Sequence, residues 1–421
     1  MKRSQFIRQS LLAYPAFLSL KGISQIPHQT TSENIEKNED YWKMLRMQFP
    51  HPSSLIYFNN GTMGISPYQV IDAVYNKSVV INSKGQYGGG DHEAIEALAN
   101  FTGADKDEIA FTHNVTEGNN IIAQGLPLKK GDEVILTSHE HVGGALPWLN
   151  RAKHDGIVIK VINLGNTAAE TLENIEKLIT KKTKAIAVPH IPCTIGQVLP
   201  VKQISKLASS KGIFSFFDGA HGAGMLNLDL HDLGCDFYSS CCHKWMLGPK
   251  GTGFLYVKKE KLEVLKPIMV GAYSDSGWDM LSNPPSMKSY SNSAHRFCYG
   301  TQSAELYEGI QAAIKFHETI GKQNIEKRIK YLTNYFRESL KKISNSNIEI
   351  VTPEEEESRA GVTAFRLKNL TMQKFQETAT KENIIIRVVP ENNVNVIRIS
   401  THIYNQIHEI DKLTDLISKN L

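Results

Sequence analysis

The sequence has no long apolar run, few cysteines and almost no surplus of charge. No stretch reaches the roughly 18 to 20 consecutive apolar residues that a membrane-spanning helix needs, so we predict no membrane span. The 47 Lys and Arg residues against 43 Asp and Glu residues leave a net charge of only +4, and no basic cluster stands out, which argues against a nucleic-acid partner. The five cysteines are odd in number, and their wide spacing gives neither a disulfide framework nor a zinc site, so we predict no metal.

The remaining composition is that of a globular protein. The chain has 421 residues, of which 41% are hydrophobic and 21% charged, and its 30 glycines and 16 prolines follow no repeat. These values exclude collagen-like, low-complexity and disordered classes. The length is sufficient for one large domain and a smaller companion.

The N-terminal segment has the composition of an export signal. A basic start precedes a short apolar stretch at 11–20, as in secretory signals. Residues 2–8 resemble a twin-arginine signal in which Ser4 stands where the second arginine is expected. We therefore predict that residues 1–25 direct the protein to the periplasm. The alternative is a disordered tail on a cytoplasmic enzyme.

From about residue 108 onward, short β-branched and aromatic runs alternate with stretches of helical period. Several of the runs are apolar on successive residues, which is typical of a mostly parallel sheet covered on both faces by helices. The pattern therefore predicts an α/β core. The predicted strands are 109–111, 133–136, 157–162, 185–188, 213–217 and 253–257, and the predicted helices are 118–124, 143–154, 171–180 and 201–211.

The last part of the chain has a different organisation. Residues 272–295 are rich in Ser, Asn and Pro, which predicts a long loop without secondary structure. A smaller α+β domain is expected to follow, with a long helix at 303–343, strands at 348–351, 362–367, 384–389 and 394–400, and helices at 372–381 and 407–418. We predict a large domain at 40–300, in which residues 40–75 pack near the site, and a small domain at 301–421.

Two short motifs carry the first chemical signal. An apolar strand ends on Asp218, and His221 follows in the turn, at the edge of the sheet where α/β proteins bind ligands. Asp218 alone is as typical of a helix cap. Lys244 then lies beside a glycine-rich turn, with apolar residues after it that argue against a solvated surface lysine. An amine and a carboxylate in neighbouring units are what pyridoxal phosphate needs, one for a Schiff base and one for the ring nitrogen.

Six short motifs occur in a fixed order along the chain, and they are 58–62, 116–120, Glu140-His141, Asp218-Gly219-Ala220-His221, His243-Lys244-Trp245 and Gly300-Thr301. Together they resemble the motifs of class V aminotransferases, which are fold-type I pyridoxal phosphate enzymes. The resemblance runs over nearly the whole chain, is nearest to the isopenicillin N epimerase-like branch, and extends more distantly to cysteine desulfurases. It implies a mostly parallel, seven-stranded-type sheet in a large domain and a smaller α+β C-terminal domain.

The resemblance also implies catalytic roles. Lys244 would hold the cofactor, pyridoxal 5′-phosphate, as a Schiff base and then move protons at the substrate α-carbon. Asp218 would keep the pyridine nitrogen protonated. His141 would stack on the ring, although on sequence alone it could simply cap a helix. His221 stands where desulfurases carry glutamine, within expected reach of the phenolic oxygen.

The phosphate group of the cofactor is expected to bind at the start of a helix and to be contacted by a second subunit. The backbone amides of Val115 and Thr116 open a helix, which is a common anion site. His243 is a further candidate donor. In the family, the residue corresponding to Thr301 reaches the phosphate of the neighbouring subunit, so the resemblance implies a homodimer with shared active sites.

The substrate is expected to be a small-molecule amino acid. Arg398 lies in a segment that resembles the one whose arginine binds the substrate carboxylate, and a guanidinium suits a carboxylate bidentately. The plain alternative is a surface arginine on a strand edge. Arg387 could hold another acidic group, and Asn59 and Asn60 are further substrate-binding candidates.

Several departures from the family pattern restrict the reaction. Cys241 and Cys193 replace a phosphate-binding serine and an asparagine of desulfurases, and residues 387–393 contain no cysteine, although desulfurase chemistry needs a mobile cysteine nucleophile there. We therefore expect an aminotransferase-like enzyme of the epimerase-like branch. The alternative is a C–S or other β-lyase, and the third reading is a protein that binds the cofactor without catalysis.

Overall fold

The computed structural model describes residues 34–86, 91–343 and 346–421. The predicted export signal at 1–25 lies outside these residues. No helix of the described part is long and apolar enough to cross a membrane.

Fifteen strands occur in the described residues, and most match the predicted runs within two residues. They are β1 (Ile56–Tyr57), β2 (Ile109–Thr112), β3 (Glu133–Thr137), β4 (Val158–Ile162), β5 (Thr183–Pro189), β6 (Phe214–Asp218), β7 (Phe237–Cys241), β8 (Gly253–Val257), β9 (Trp278–Asp279), β10 (Ser286–Met287), β11 (Ile348–Ile350), β12 (Val362–Leu367), β13 (Ile384–Ile385), β14 (Arg387–Val389) and β15 (Val396–Ser400).

Twelve α-helices and five short 3₁₀ helices accompany these strands in the described residues. The 3₁₀ helices are Ile35–Lys37, Lys106–Glu108, Lys259–Lys261, Ala294–Phe297 and Glu391–Asn393. The α-helices are α1 (Glu39–Arg46), α2 (Tyr68–Lys84), α3 (Asp91–Thr102), α4 (Val115–Gly125), α5 (Val142–Asp155), α6 (Ala168–Leu178), α7 (Val201–Ser210), α8 (Leu230–Leu233), α9 (Ala304–Ile320), α10 (Lys322–Lys342), α11 (Met372–Lys381) and α12 (Ile407–Ser418).

A seven-stranded sheet forms the centre of the large part, in the order β2-β8-β7-β6-β5-β3-β4. The run from β7 to β4 is parallel, and β8 is antiparallel to both of its neighbours. The predicted mostly parallel, seven-stranded α/β fold is therefore confirmed. Strand β7 was not predicted, because Ser239 and Ser240 interrupt its apolar run although both are fully buried.

A smaller α+β unit follows, with an antiparallel sheet in the order β11-β12-β15-β14. Its core packs α10, α11 and α12 against this sheet through residues such as Phe336, Phe365, Phe375, Ile399 and Leu413.

Two predictions about the region around residue 300 were wrong. The helix expected at 303–343 is two helices, because Gly321 adopts a φ of 92° that ends α9 before α10 begins. The region 272–295 is not free of secondary structure, since β9 and β10 pair there as an antiparallel hairpin. Large apolar side chains of this hairpin are exposed, and Leu281 at its tip is 97% accessible.

The N-terminal segment is tied to the C-terminal unit. β1 pairs in parallel with β13, and a single bridge joins Asn59 to Ser400. The amide of Gly61 donates to Ser400 Oγ at 2.8 Å, and the amide of Gly64 donates to the carbonyl of His243 at 2.9 Å. Residues 59–64 therefore lie between β15 and the turn that carries Lys244.

Candidate active site

One pocket contains most of the predicted site residues. It lies at the carboxyl ends of the parallel strands, where α/β sheets bind ligands, and residues 61–62 also line it. Asn59, Asn60 and Thr301 do not line it in the single chain. The predicted residues that do are Val115, Thr116, His141, Asp218, His221, His243, Lys244, Arg387 and Arg398.

Lys244 follows β7 in a tight turn that presses against the N-terminal segment. A Cβ added at Gly64 would lie only 2.0 Å from the Lys244 carbonyl oxygen, so only glycine fits there. Leu247, three residues after Lys244, adopts a φ of 57°, which is unusual for a leucine. Lys244 has no ion-pair partner among the described residues, which leaves its amine available to the pocket.

Asp218 is the last residue of β6 and is 8% exposed. Its Oδ2 accepts from Asn119 Nδ2 at 2.8 Å, and its Oδ1 accepts from the Ala220 amide at 3.0 Å. These two donors fix the carboxylate and stabilise its charge. Asn119 was not among the predicted site residues, although it falls within the recognised 116–120 motif.

A second carboxyl group, Glu140, lies close to Asp218. A Cβ at Gly144 would be 3.0 Å from Glu140 Oε2 and 3.5 Å from Asp218 Oδ2. Glu140 Oε1 accepts from the Thr137 amide at 3.0 Å and from its hydroxyl at 2.8 Å. Burial, with a smaller contribution from the Asp218 charge, raises the pKa of Glu140 to about 8. Glu140 is therefore mostly neutral at pH 7.

His141 both caps a helix and lines the pocket, so the two readings of this residue are compatible. Its Nδ1 accepts from the Gly143 amide at 3.1 Å at the start of α5. The ring proton of the neutral imidazole is therefore on Nε2. Burial, followed by the charge of Lys244, lowers the pKa of His141.

His221 offers an unpaired donor. Its Nδ1 accepts from Trp245 Nε1 at 3.0 Å, which places the ring proton on Nε2. That Nε2 is buried and has no hydrogen-bond partner among the described residues. Burial, followed by the charges of Lys244 and Arg398, holds the pKa of His221 well below its usual value, so the ring is neutral.

The start of α4 provides a site for an anion. Asn114 caps this helix by accepting from the Glu117 amide, so the amides of Val115 and Thr116 keep the free first-turn positions that bind phosphate groups. His243 also lines the pocket, and its Nδ1 lies 3.3 Å from the Thr252 carbonyl oxygen.

Arg398 lies on β15 and is 2% exposed. Its Nη1 donates to the Cys193 carbonyl at 2.8 Å, and its Nη2 donates to Thr62 Oγ1 at 2.9 Å and to Asn59 Oδ1 at 3.2 Å. Its Nε has no partner among the described residues. Burial lowers the pKa of Arg398 to about 10, so the guanidinium stays charged at neutral pH.

Other residues of the N-terminal segment differ from the prediction in their placement. Asn59 contacts Arg398 rather than the pocket, and Asn60 is fully buried with its Oδ1 bonded to the Tyr404 hydroxyl at 2.8 Å. Thr62 lines the pocket and was missed. Its only sequence signal was its place in the 58–62 motif.

The two cysteines that depart from the desulfurase pattern both line the pocket. Burial raises the pKa of the Cys241 thiol to about 11, and it also raises the pKa of Cys193. Both groups are therefore neutral thiols at pH 7, and neutral thiols are weak nucleophiles.

The donors and acceptors fit pyridoxal 5′-phosphate. The amides of Val115 and Thr116 suit its phosphate, Asp218 suits a protonated ring nitrogen, and the Lys244 amine suits its aldehyde. The unpaired Nε2 of His221 provides the donor that its phenolic oxygen requires.

Comparison with known proteins agrees with this chemistry. Residues 73–413 match the family described as Aminotransferase class-V. A probable cysteine desulfurase of Pyrococcus abyssi is 28% identical over 89% of this chain and 96% of its own length. A probable cysteine desulfurase of Halalkalibacterium halodurans is 30% identical over 87% and 93%. The isopenicillin N epimerase of Amycolatopsis lactamdurans is 28% identical over 77% and 84%.

Solved structures share the fold over almost the whole described chain. The apo structure of a cysteine desulfurase from Thermococcus onnurineus superposes with a TM-score of 0.79 at 25% identity, covering 89% of this chain and 96% of that one. The complex of the cystine C–S lyase C-DES with its product cysteine persulfide gives 0.80 at 24% identity, covering 88% and 99%. With the family match and the fit of the pocket, we conclude that this chain is a member of the class-V aminotransferase family and that its cofactor is pyridoxal 5′-phosphate.

Proposed function

We propose that the protein cleaves the C–S bond of a sulfur-containing α-amino acid by β-elimination. The observation that carries this is the pocket itself, which pairs a proton-transferring amine, Lys244, with a buried guanidinium, Arg398, and offers no thiolate to receive sulfur. Pyridoxal 5′-phosphate supplies an electron sink for the bond cleavage next to the imine. The similarity to desulfurases and to a C–S lyase supports this reading over transamination.

Residues of the chain bind the substrate and transfer the proton. Arg398 binds the α-carboxylate through the N–H groups that its contacts with Cys193, Asn59 and Thr62 leave free. Those same contacts hold the guanidinium in place. Lys244 takes the proton from the α-carbon. The Cβ–S bond then breaks, and its electron pair leaves with sulfur as a thiolate. With one water consumed, the products are pyruvate, ammonia and a thiol, or a persulfide when the substrate is a disulfide.

Transfer of sulfur to the protein, as in a desulfurase, is disfavoured by the positions of the thiols. Residues 387–393 hold no cysteine. The thiols that line the pocket are neutral, and Cys241 is buried while Cys193 is partly buried. The sulfur therefore leaves with a small-molecule product.

An aminotransferase or epimerase is the second candidate, because the chain is also 28% identical to an isopenicillin N epimerase. These reactions share the first deprotonation by Lys244, and the fold alone does not separate them. A protein that only binds the cofactor has no use for the desolvated carboxylate clamp at Arg398.

The products separate these candidates. The purified holoenzyme is incubated with a panel of L-amino acids that includes cystine, cysteine, S-methylcysteine and alanine. A C–S lyase releases pyruvate and ammonia in equal amounts, and only from the substrates that contain sulfur. A keto acid formed without free ammonia, and only when an α-keto acid such as 2-oxoglutarate is added as amino acceptor, indicates transamination. A D-amino acid indicates epimerisation. No product with any substrate refutes catalysis, and the Lys244→Ala variant is the matched control.

We also propose a two-fold homodimer with shared sites. Thr301 is exposed in the single chain, and the nearby hairpin presents Trp278 and Leu281, which are 69% and 97% accessible. Exposed apolar surface of this kind is typical of an interface. Mixing inactive Lys244→Ala with inactive Thr301→Ala subunits should restore activity in hybrid dimers, and an active monomer in light scattering contradicts the proposal.

Export of the protein to the periplasm is a further proposal, based on residues 1–25. Cell fractionation of the full-length protein tests it. A variant in which Arg3 is replaced by Gln should remain in the cytoplasm if the signal is of the twin-arginine type, and recovery of both proteins from the cytoplasm contradicts the proposal.

A further inference from the structure

We infer that His402 is a positioning residue for Lys244. Its ring donates a hydrogen bond to the backbone carbonyl of Trp245, the residue next to Lys244, and so fixes the lysine relative to Arg398. His402 is not among the described residues that line the pocket, so it acts through the turn and not on the substrate. The role concerns proton transfer at the α-carbon, which all the candidate reactions share, and it therefore goes beyond the proposed C–S lyase function.

The turn that carries Lys244 contains a carbonyl without an amide partner. The Gly248 amide closes the turn by donating to the Cys242 carbonyl at 2.8 Å. The Trp245 carbonyl accepts from no backbone amide in the described part of the chain. Two histidine rings lie next to it instead, with His402 Nε2 at 3.0 Å and His317 Nε2 at 3.1 Å. Because a buried carbonyl requires a donor, a side chain completes this turn.

His402 is the histidine whose proton faces this carbonyl. Its Nδ1 accepts from the Ile403 amide at 2.8 Å, so the neutral ring carries its proton on Nε2. Burial lowers the pKa of His402 to about 3, which keeps the ring neutral. The Nδ1 of His317 lies 3.0 Å from the Ala313 carbonyl, and a neutral ring with one N–H cannot donate to that carbonyl and to the Trp245 carbonyl at once. His402 is therefore the assigned donor.

The His402 ring is held in place by its neighbours. It packs nearly parallel to the Trp245 indole at 5.6 Å and to the Tyr404 ring at 5.5 Å, and all three side chains are fully buried. The His402 amide donates to Asn405 Oδ1 at 2.8 Å. Rotation of the ring would disturb both ring contacts as well as the bonds at its two nitrogens. The donor is thus presented to the turn at a fixed place.

This hydrogen bond joins the two groups that act on the same amino acid. His402 is four residues beyond Arg398, just after the end of β15, whereas Trp245 directly follows Lys244 in the large part of the protein. The bond therefore spans 157 residues and connects the carboxylate clamp to the proton-transferring amine. Proton transfer requires its reacting atoms to be held about 3–3.5 Å apart, and a small displacement of either group is costly. Without the His402 donor, the lysine turn is free to shift away from the clamp.

Two measurements test the role of His402. The first is exchange of the α-hydrogen for deuterium in D₂O, followed by NMR with the holoenzyme and L-alanine, L-2-aminobutyrate or L-glutamate, none of which has a leaving group on Cβ. The second is the rate at which the apo-protein forms its borohydride-reducible adduct with pyridoxal 5′-phosphate. This second rate reports how the Lys244 amine is presented and requires no substrate.

The variants separate the hydrogen bond from packing. His402→Leu removes the donor, His402→Asn places an amide near the former Nδ1, and His402→Gln can carry an amide to the former Nε2. The matched control is Thr333→Val. It removes a buried hydroxyl 3.1 Å from that of Thr401, the residue before His402, and leaves the Trp245 carbonyl untouched.

The expected result is a loss of rate with little loss of substrate affinity. His402→Leu and His402→Asn should lower the exchange rate at saturating amino acid by about tenfold or more, and His402→Gln should recover to within about threefold of wild type. The half-saturating concentration should change less than about twofold, because the contacts that hold Arg398 remain. Adduct formation should follow the same order, and Thr333→Val should leave both rates unchanged.

The opposite results would overturn the inference. Equal losses in the Leu, Asn and Gln variants, or a loss of rate matched by a loss of amino-acid affinity, would make His402 a packing residue only. Slowing in His317→Leu but not in His402→Leu would assign the donor to His317 and refute the inference.

Failure of this inference is distinguishable from failure of the proposed function. Exchange without release of pyruvate from any sulfur-containing amino acid would contradict the C–S lyase function and leave the role of His402 standing. If the wild type exchanges no α-hydrogen, the proposed function fails, and the order of the variants in adduct formation alone decides the inference. Circular dichroism spectra equal to wild type confirm that a variant is folded, and the Asn and Gln variants decide the question if His402→Leu does not fold.

Discussion

The hydrogen bond from Trp245 to His221 controls which nitrogen of His221 carries its proton. Replacing Trp245 by Phe removes the Nε1 donor that lies 3.0 Å from His221 Nδ1. The ring proton is then free to move to Nδ1, and the nitrogen on the pocket side becomes an acceptor instead of a donor. We therefore predict that Trp245→Phe weakens retention of the cofactor, although Trp245 need not touch it.

The size of the effect follows from the contacts that are lost. A buried polar group left without its partner costs about 1–3 kcal/mol. If about 1–2 kcal/mol of this cost falls on the bound state, the dissociation constant of pyridoxal 5′-phosphate should rise about 5- to 30-fold. Because Trp245 is fully buried and stacks on His402 at 5.6 Å, the smaller ring should also lower the free energy of unfolding.

Equilibrium dialysis of the cofactor against the apo-protein measures the first effect, and urea unfolding measures the second. His221→Phe alone and the double variant complete a mutant cycle. If Trp245 acts through His221, the double variant should bind the cofactor no more weakly than His221→Phe does. Fully additive losses of affinity would refute this reasoning and leave Trp245 as a packing residue only.

Three further predictions concern the carboxylates and the lysine of the site. Lys244→Ala should abolish the borohydride-reducible adduct with the cofactor, while Lys250→Ala should keep it; an adduct that persists in Lys244→Ala would contradict the assignment. Asp218→Ala should reduce turnover far more than cofactor content, because the phosphate contacts of the helix start remain, and equal losses in an absorbance titration would argue against this role. Folding raises the pKa of Glu140 from its usual value to about 8. Between these two pKa values the folded apo-protein holds a proton on Glu140 that the unfolded chain has lost. The stability that this group contributes is therefore present at low pH and is lost as the pH rises through about 8. The urea unfolding midpoint of Glu140→Gln should therefore increase relative to that of the wild type as the pH is raised from 5 to 8. A difference in midpoint that stays constant over this pH range would refute the raised pKa.

The sequence was most informative where one residue type performs one chemical task. Lys244, Asp218 and Arg398 were found because an amine, an anion and a guanidinium have few substitutes in their roles. Glu140 and Thr62 were missed as functional residues, since their importance arises from neighbours that are distant in the sequence. No local pattern reveals that Glu140 Oε2 lies beside Asp218, or that the Thr62 hydroxyl orients Arg398.

The fold shows the same division between local and tertiary signals. Helices α11 and α12 begin and end where the apolar periodicity predicts, because an amphipathic face is encoded within each segment. β7 has no such signal, since two of its buried residues are the polar Ser239 and Ser240. Their hydroxyls tolerate burial because they donate hydrogen bonds to the backbone carbonyls of Val115 and Gly219, respectively. The break at Gly321 was missed because a single glycine inside a helical pattern is usually tolerated.

The link between β1, β13 and β15 determines when during synthesis the site can form. The Gly61 amide and the Ser400 hydroxyl are bonded across 339 residues, and Arg398 reaches Thr62 across 336. Domains generally fold as the ribosome releases them, from the N-terminus onward, so the strands of the large sheet emerge well before β15. The carboxylate clamp is therefore assembled only after β15 has emerged, later than the large sheet, and a nascent chain that has released Lys244 but not β15 has no means of binding an amino acid through Arg398.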